Sequence, residues 1–161
     1  MGGVTIGSEM SGGVRNVFIE DTTFSNAAGD LQYAIYIKAA VTRGGFVENI
    51  YARQLTVETV STFLNMTGHY VSGAVIGGTR MLTTFRNIHI DTAIVARTTG
   101  EPFSVAGADA TRVATGIHLR DITVAVSAAP ALAAGSGHYV DLTTSNGVVN
   151  GETFNPPVSA P

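Results

Sequence analysis

Four short segments with the same β-branched alternation recur along this chain: Val14-Arg15-Asn16-Val17-Phe18-Ile19, Val47-Glu48-Asn49-Ile50-Tyr51-Ala52, Phe85-Arg86-Asn87-Ile88-His89-Ile90 and Leu119-Arg120-Asp121-Ile122-Thr123-Val124. Counted on the third residue of each, the steps are 33 residues (16 to 49), 38 (49 to 87) and 34 (87 to 121). A period of that size with no helical stretch inside it predicts the stacked coils of a β-solenoid. Each coil there buries its apolar face only against the coils above and below. An Asn at one fixed place per coil can pass hydrogen bonds along the stack at the strand spacing of about 4.8 Å. Asn16, Asn49 and Asn87 therefore read as a ladder rather than as catalytic residues.

A second set of apolar strands alternates with the first: Val4-Thr5-Ile6-Gly7, Ala34-Ile35-Tyr36-Ile37-Lys38, Thr62-Phe63-Leu64-Asn65-Met66, Pro102-Phe103-Ser104-Val105-Ala106 and Tyr139-Val140-Asp141-Leu142. Period-two alternation turns Val4, Ile6, Ile35, Ile37, Thr62, Leu64, Phe103, Val105, Val140 and Leu142 inward. It leaves Thr5, Tyr36, Phe63, Ser104 and Tyr139 in one outward file and Gly7, Lys38, Asn65, Ala106 and Asp141 in the next. Longer turns are expected at His69–Thr84 and Ser127–Gly137, with one helical turn within Pro130–Ala134 as an option. The tail from Asn150 to Pro161 contains Pro156-Pro157, which lack the donors a ladder needs, and is expected to cap the last coil. The expectation is one all-β domain over residues 1–161, with about four to five coils.

Composition narrows the function classes. The chain has 161 residues, no cysteine and four singly placed histidines, so neither a disulfide framework nor a zinc or calcium ligand spacing is visible. No metal or cofactor is expected. A net charge of −3 with basic residues scattered singly argues against nucleic acid. No apolar run approaches about 18 residues, so no membrane span is expected. The first residues show no signal peptide; localisation stays open, and would be secreted or periplasmic for a protein acting on cell-wall polymers.

The opening stretch Gly2-Gly3-Val4-Thr5-Ile6-Gly7-Ser8-Glu9-Met10-Ser11-Gly12-Gly13-Val14-Arg15-Asn16-Val17, followed by Ile35-Tyr36-Ile37-Lys38 and Arg43-Gly44-Gly45-Phe46-Val47-Glu48-Asn49-Ile50, resembles the second half of the pectin-degrading polygalacturonases, the family 28 glycoside hydrolases. The resemblance is closest from Gly2 to about Val57 and only periodic after Gly100. It implies a single-stranded right-handed parallel β-helix, hydrolysis of α-1,4-galacturonan, and a substrate cleft along the outward face that carries Lys38. A catalytically inert pectin-binding or structural solenoid is the alternative. The family's Asn-Thr-Asp, Asp-Asp and Gly-His-Gly motifs have no match in these residues, and its Arg-Ile-Lys stands here as Tyr36-Ile37-Lys38.

On that reading Lys38 binds the substrate carboxylate, Tyr36 and Phe63 form a sugar platform, Arg43 holds a second carboxylate, and Asn65 and His69 line the groove, with Tyr70 and His138 at its border. A glycoside hydrolase needs two carboxyl groups about 5 to 9.5 Å apart. Glu9, Asp30, Asp109 and Asp141 are the candidate catalytic carboxylates; Glu20 and Asp21 read as turn residues on another face. The ligand expected is a polygalacturonan or other pectic oligosaccharide. A homodimer through the N-terminal coil is also expected, because strand Val4 to Gly7 has no coil beneath it in this sequence.

Overall fold

The computed structural model describes residues 1–70, 81–109, 111–126, 132–133, 140–149 and 152–154, with side chains described within 1–70, 81–109 and 111–125. The elements are β1 (Gly2–Ile6), β2 (Val14–Phe24), β3 (Tyr33–Ala40), β4 (Phe46–Val60), β5 (Thr62–Tyr70), β6 (Thr84–Thr98), β7 (Phe103–Val105), β8 (Ala114–Val126), β9 (Leu132–Ala133), β10 (Val140–Val149) and β11 (Glu152–Phe154). The odd-numbered strands up to β9 form one sheet in the order β1-β3-β5-β7-β9, and the longer even-numbered strands form a second, in the order β2-β4-β6-β8-β10, which the short β11 extends beside β10. All pairings are parallel except β11, which turns back antiparallel on β10. Strict alternation between two parallel sheets, with no helix among the described residues, is consistent with a β-solenoid.

The long strands are bent twice per coil. Asn16, Asn49 and Asn87 have φ of 58°, 56° and 55°, and Asp21, Gln54, Thr92 and Asp121 have φ of 48°, 54°, 57° and 52°. A single left-handed residue turns the chain and resets its in–out alternation by one. In β4 the reset is visible: Val47 points inward, then Ile50 and Ala52, then Leu55 and Val57, each 2% exposed or less. The buried side chains line up from coil to coil. Ile50, Ile88 and Ile117 form one file, and Val57, Val95 and Val124 another. Fully burying each such side chain contributes about 1.5–3 kcal/mol.

The register corrects three expectations. Gly116, with φ of 64°, pairs in register with Asn87, whereas Asp121 belongs to the second bend with Asp21, Gln54 and Thr92. A Cβ at Gly116 would lie 2.7 Å from Asn87 Oδ1, so the fourth coil meets the Asn ladder with the residue that has no side chain. Asp21 and Glu20 lie inside β2, not in a turn. Lastly, Val140 and Leu142 pair with Ala114 and Ile117 in the long-strand sheet, so Asp141 lies away from the Lys38 sheet. The fifth strand of that sheet is instead Leu132–Ala133, where a helical turn had been an option. His138, Tyr139 and the tail residues 155–161 lie outside the described residues.

Candidate functional site

Lys38 stands on the outward side of β3, between Ile37 and Ala39, which are both fully buried. Its neighbour across the sheet is Thr67, and Tyr36 faces Asn65. Gly7 closes the other flank with φ of 91°; a Cβ there would fall 1.7 Å from the Lys38 carbonyl oxygen, so only glycine lets β1 approach so closely.

The Lys38 ammonium lies 4.9 Å from the Tyr36 ring centroid and 4.3 Å from that of Tyr70. Both contacts are within cation–π range, worth about 0.5–1 kcal/mol each at an exposed site. Tyr33 packs on Tyr36 with centroids 4.3 Å apart, and Tyr70 meets Tyr36 edge-on at 6.3 Å. Burial, and then the neighbouring Tyr33 and Tyr70 hydroxyls, push the Tyr36 phenol above its ordinary value, so it is a neutral O–H donor at working pH. Among the described residues Lys38 has no carboxylate partner. A cation held between two half-buried tyrosines, with a third tyrosine packed on one of them, has the chemistry to receive a carboxylate between apolar, hydroxyl-bearing walls.

The other expected binding residues divide. Asn65 is outward and half-buried beside Tyr36. Phe63 is not on the surface at all: it is fully buried and packs edge-on against Phe103 at 6.0 Å. The pairing of β3 with β5 is shifted by two residues from the expected register, which places Asn65 where Phe63 was expected. His69, next to last in β5, sets its Nε2 against the Ala108 carbonyl. Arg43, which follows β3, makes an ion pair with Glu9.

The candidate carboxylates do not converge. Glu9 is occupied by Arg43, and Asp109 Oδ1 accepts from Thr111 N at 2.9 Å, Thr111 Oγ1 at 2.8 Å and Arg112 N at 3.0 Å, closing a local turn. Asp30 precedes β3 while Glu9 sits near the Lys38 end, so at least roughly 16 Å of extended strand separates them. Glu9 and Asp109 lie three coils apart, about 14 Å. Neither pair meets the spacing of about 5 to 9.5 Å that acid–base cleavage of a glycosidic bond requires.

A second outward array escaped sequence reasoning. Phe18, Tyr51, His89 and His118 stack along the coils with centroid distances of 5.2, 5.0 and 4.2 Å. Beside it runs a row of alternating charge: Glu20 pairs with Arg53 at 2.9 Å, and Asp91 with Arg120. The signal was present two residues after each Asn of the repeat, at Phe18, Tyr51 and His89. The rings stack on one another, with Phe18 at the end of the row 65% exposed, and the charges beside them pair, so the array helps hold successive coils together.

No protein-family profile matches the chain, and no solved structure matches it. A protein of Vitis vinifera named "Probable polygalacturonase" is 41% identical over 71 residues, which is 44% of this chain and 14% of that protein. The chain thus spans a small part of the relative's length, and the similarity supports a polygalacturonase-like family only coarsely.

Proposed function

We propose that the chain is a right-handed parallel β-helix whose Lys38 face binds a pectic polyuronide, as part of a polygalacturonase-like glycoside hydrolase acting on α-1,4-galacturonan. The observation that carries it is the Lys38 ammonium poised between Tyr36 and Tyr70 with no carboxylate partner among the described residues. The partial likeness to the Vitis vinifera protein supports a pectin-active hydrolase at the level of class. In such a site Lys38 orients one sugar carboxylate, and the tyrosines exclude water and donate hydrogen bonds. Cleavage itself would call on an acid and a base or nucleophile among the carboxyl groups.

A second reading, uronan binding without hydrolysis, is favoured by one specific observation. Glu9 is engaged by Arg43, and Asp109 closes a local turn with Thr111 and Arg112. Incubating the chain with polygalacturonic acid while following reducing ends and the absorbance of unsaturated products decides between them. New reducing ends without unsaturation support hydrolysis; unsaturation identifies a lyase; binding with neither leaves the inert binder. If Glu9→Gln, Asp30→Asn, Asp109→Asn and Asp141→Asn all keep the rate of an active chain, none of these carboxylates is catalytic.

A further inference from the structure

We propose that the Lys38 face selects uronan chains whose free carboxylates are sparse, partly methyl-esterified or interrupted by neutral sugars, over fully de-esterified polygalacturonate. This rests on the pectic reading above and adds the form of polymer that fits. On the outward side of β3, β5 and β7 the described residues are Tyr33, Tyr36, Lys38, Asn65, Thr67, His69 and Ser104, with Tyr70 at the end of β5. That file holds one lysine and no arginine. Arg43, which follows β3, is already paired with Glu9, whose own side chain is 67% exposed.

A de-esterified polyuronide carries a carboxylate on every sugar. Lys38 can neutralise one of them. The neighbours would be brought against tyrosine rings and uncharged Asn65 and Thr67, where a bare charge is desolvated without compensation. The chain as a whole is at −3, so long-range attraction does not offset that cost. An esterified or neutral sugar meets the same surroundings without the penalty: its C–H faces suit Tyr33, Tyr36 and Tyr70, and its hydroxyl or ester oxygens can accept from neutral Tyr36 and from Asn65.

The test is titration calorimetry of the intact chain at low salt against polygalacturonate, the same polymer partly methyl-esterified, and dextran as an uncharged control. The expected result is binding of the partly esterified polymer at least about fivefold tighter per sugar than of polygalacturonate, with no binding of dextran. Tyr36→Arg, which adds a second cation beside Lys38, should reverse the order, whereas Tyr36→Phe should keep it, each with melting checked. Equal or tighter binding of polygalacturonate by the unmodified chain overturns the selectivity and leaves the pectic reading standing. Binding of neither pectic polymer, or equal binding of dextran, overturns both.

Discussion

The side-chain amide of Asn49 donates to Asn16 Oδ1 at 3.1 Å at a point where both residues hold a left-handed backbone. Asn87 donates to Asn49 in turn, also at 3.1 Å. One residue type thus bends the strand and joins the coils, and the two roles can be separated by substitution. Asn49→Gly keeps the bend but loses two hydrogen bonds, whereas Asn49→Ala also forces an ordinary side chain into the left-handed region. The alanine variant should therefore be destabilised by about 1–2 kcal/mol more than the glycine variant in denaturant unfolding. Equal losses would mean the backbone bend carries no strain.

Phe63 tests core against ligand surface. Phe63→Ala should cost about 3–5 kcal/mol of stability, because the ring is fully buried against Phe103. Phe63→Leu, which keeps most of the volume, should fold and bind a pectic polymer with unchanged affinity. A selective loss of affinity in the leucine variant would return Phe63 to the site.

Removing the charge at Lys38 while keeping its stem, as Lys38→Met, should weaken binding of a partly esterified uronan about tenfold or more. The same change should cost stability no more than the cation–π contacts supply, about 1–2 kcal/mol for the two. Calorimetric titration with a parallel melting curve reads both. Unchanged affinity would remove Lys38 from the site.

The ring stack makes stability depend on pH. Burial, with His118 and Arg120 adding and Asp91 opposing, lowers the His89 pKa below its ordinary 6.5. The unfolded chain therefore takes up this proton first as pH falls. Stability should be complete above about 6.5 and decline below it until folded His89 is also protonated. His89→Phe keeps the stack against Tyr51 and should flatten that limb of the pH–stability curve. Asp91 acts in a lower window: its hydrogen bond with Arg120 holds it below 3.8, so its contribution is present above that value and lost as pH falls further.

Much of the architecture was legible because one chemistry recurred at one backbone position: Asn16, Asn49 and Asn87 announce both the repeat and the ladder. The fourth coil was misread because a left-handed residue can be Asn, Asp or Gly. Leu119-Arg120-Asp121-Ile122 imitates Phe85-Arg86-Asn87-Ile88 in letters, yet it occupies the other bend. Phe63 was misplaced for another reason: Phe63 and Leu64, like Ala34 and Ile35 beside them in β3, are consecutive buried residues, so the alternation on which the reading rested breaks at the strand start. The two-residue slip of β5 against β3 preserves alternation, so only the pairing itself could reveal it. Likewise an apolar triplet such as Val140-Asp141-Leu142 suits either sheet. In the site, the lysine was legible as the chain's sole example. Its aromatic cradle was only partly so, since Tyr70 reaches it from the end of the neighbouring strand and Tyr33 only backs Tyr36.

The alternating charges have a consequence for how such a chain can lengthen or shorten. Across successive coils the long strands present Glu20, Arg53, Asp91 and Arg120 at one position, and Arg15, Glu48 and Arg86 at another. Excising the single coil that contains β4 would set Glu20 against Asp91 and Arg15 against Arg86, two like-charge contacts at strand spacing. Excising the coils of both β4 and β6 would set Glu20 against Arg120 and restore attraction. The Asn ladder survives loss of the β4 coil, which sets Asn16 against Asn87, and ends when both coils go, since Asn16 then meets Gly116; the charges instead count coils by parity and favour gain or loss in twos.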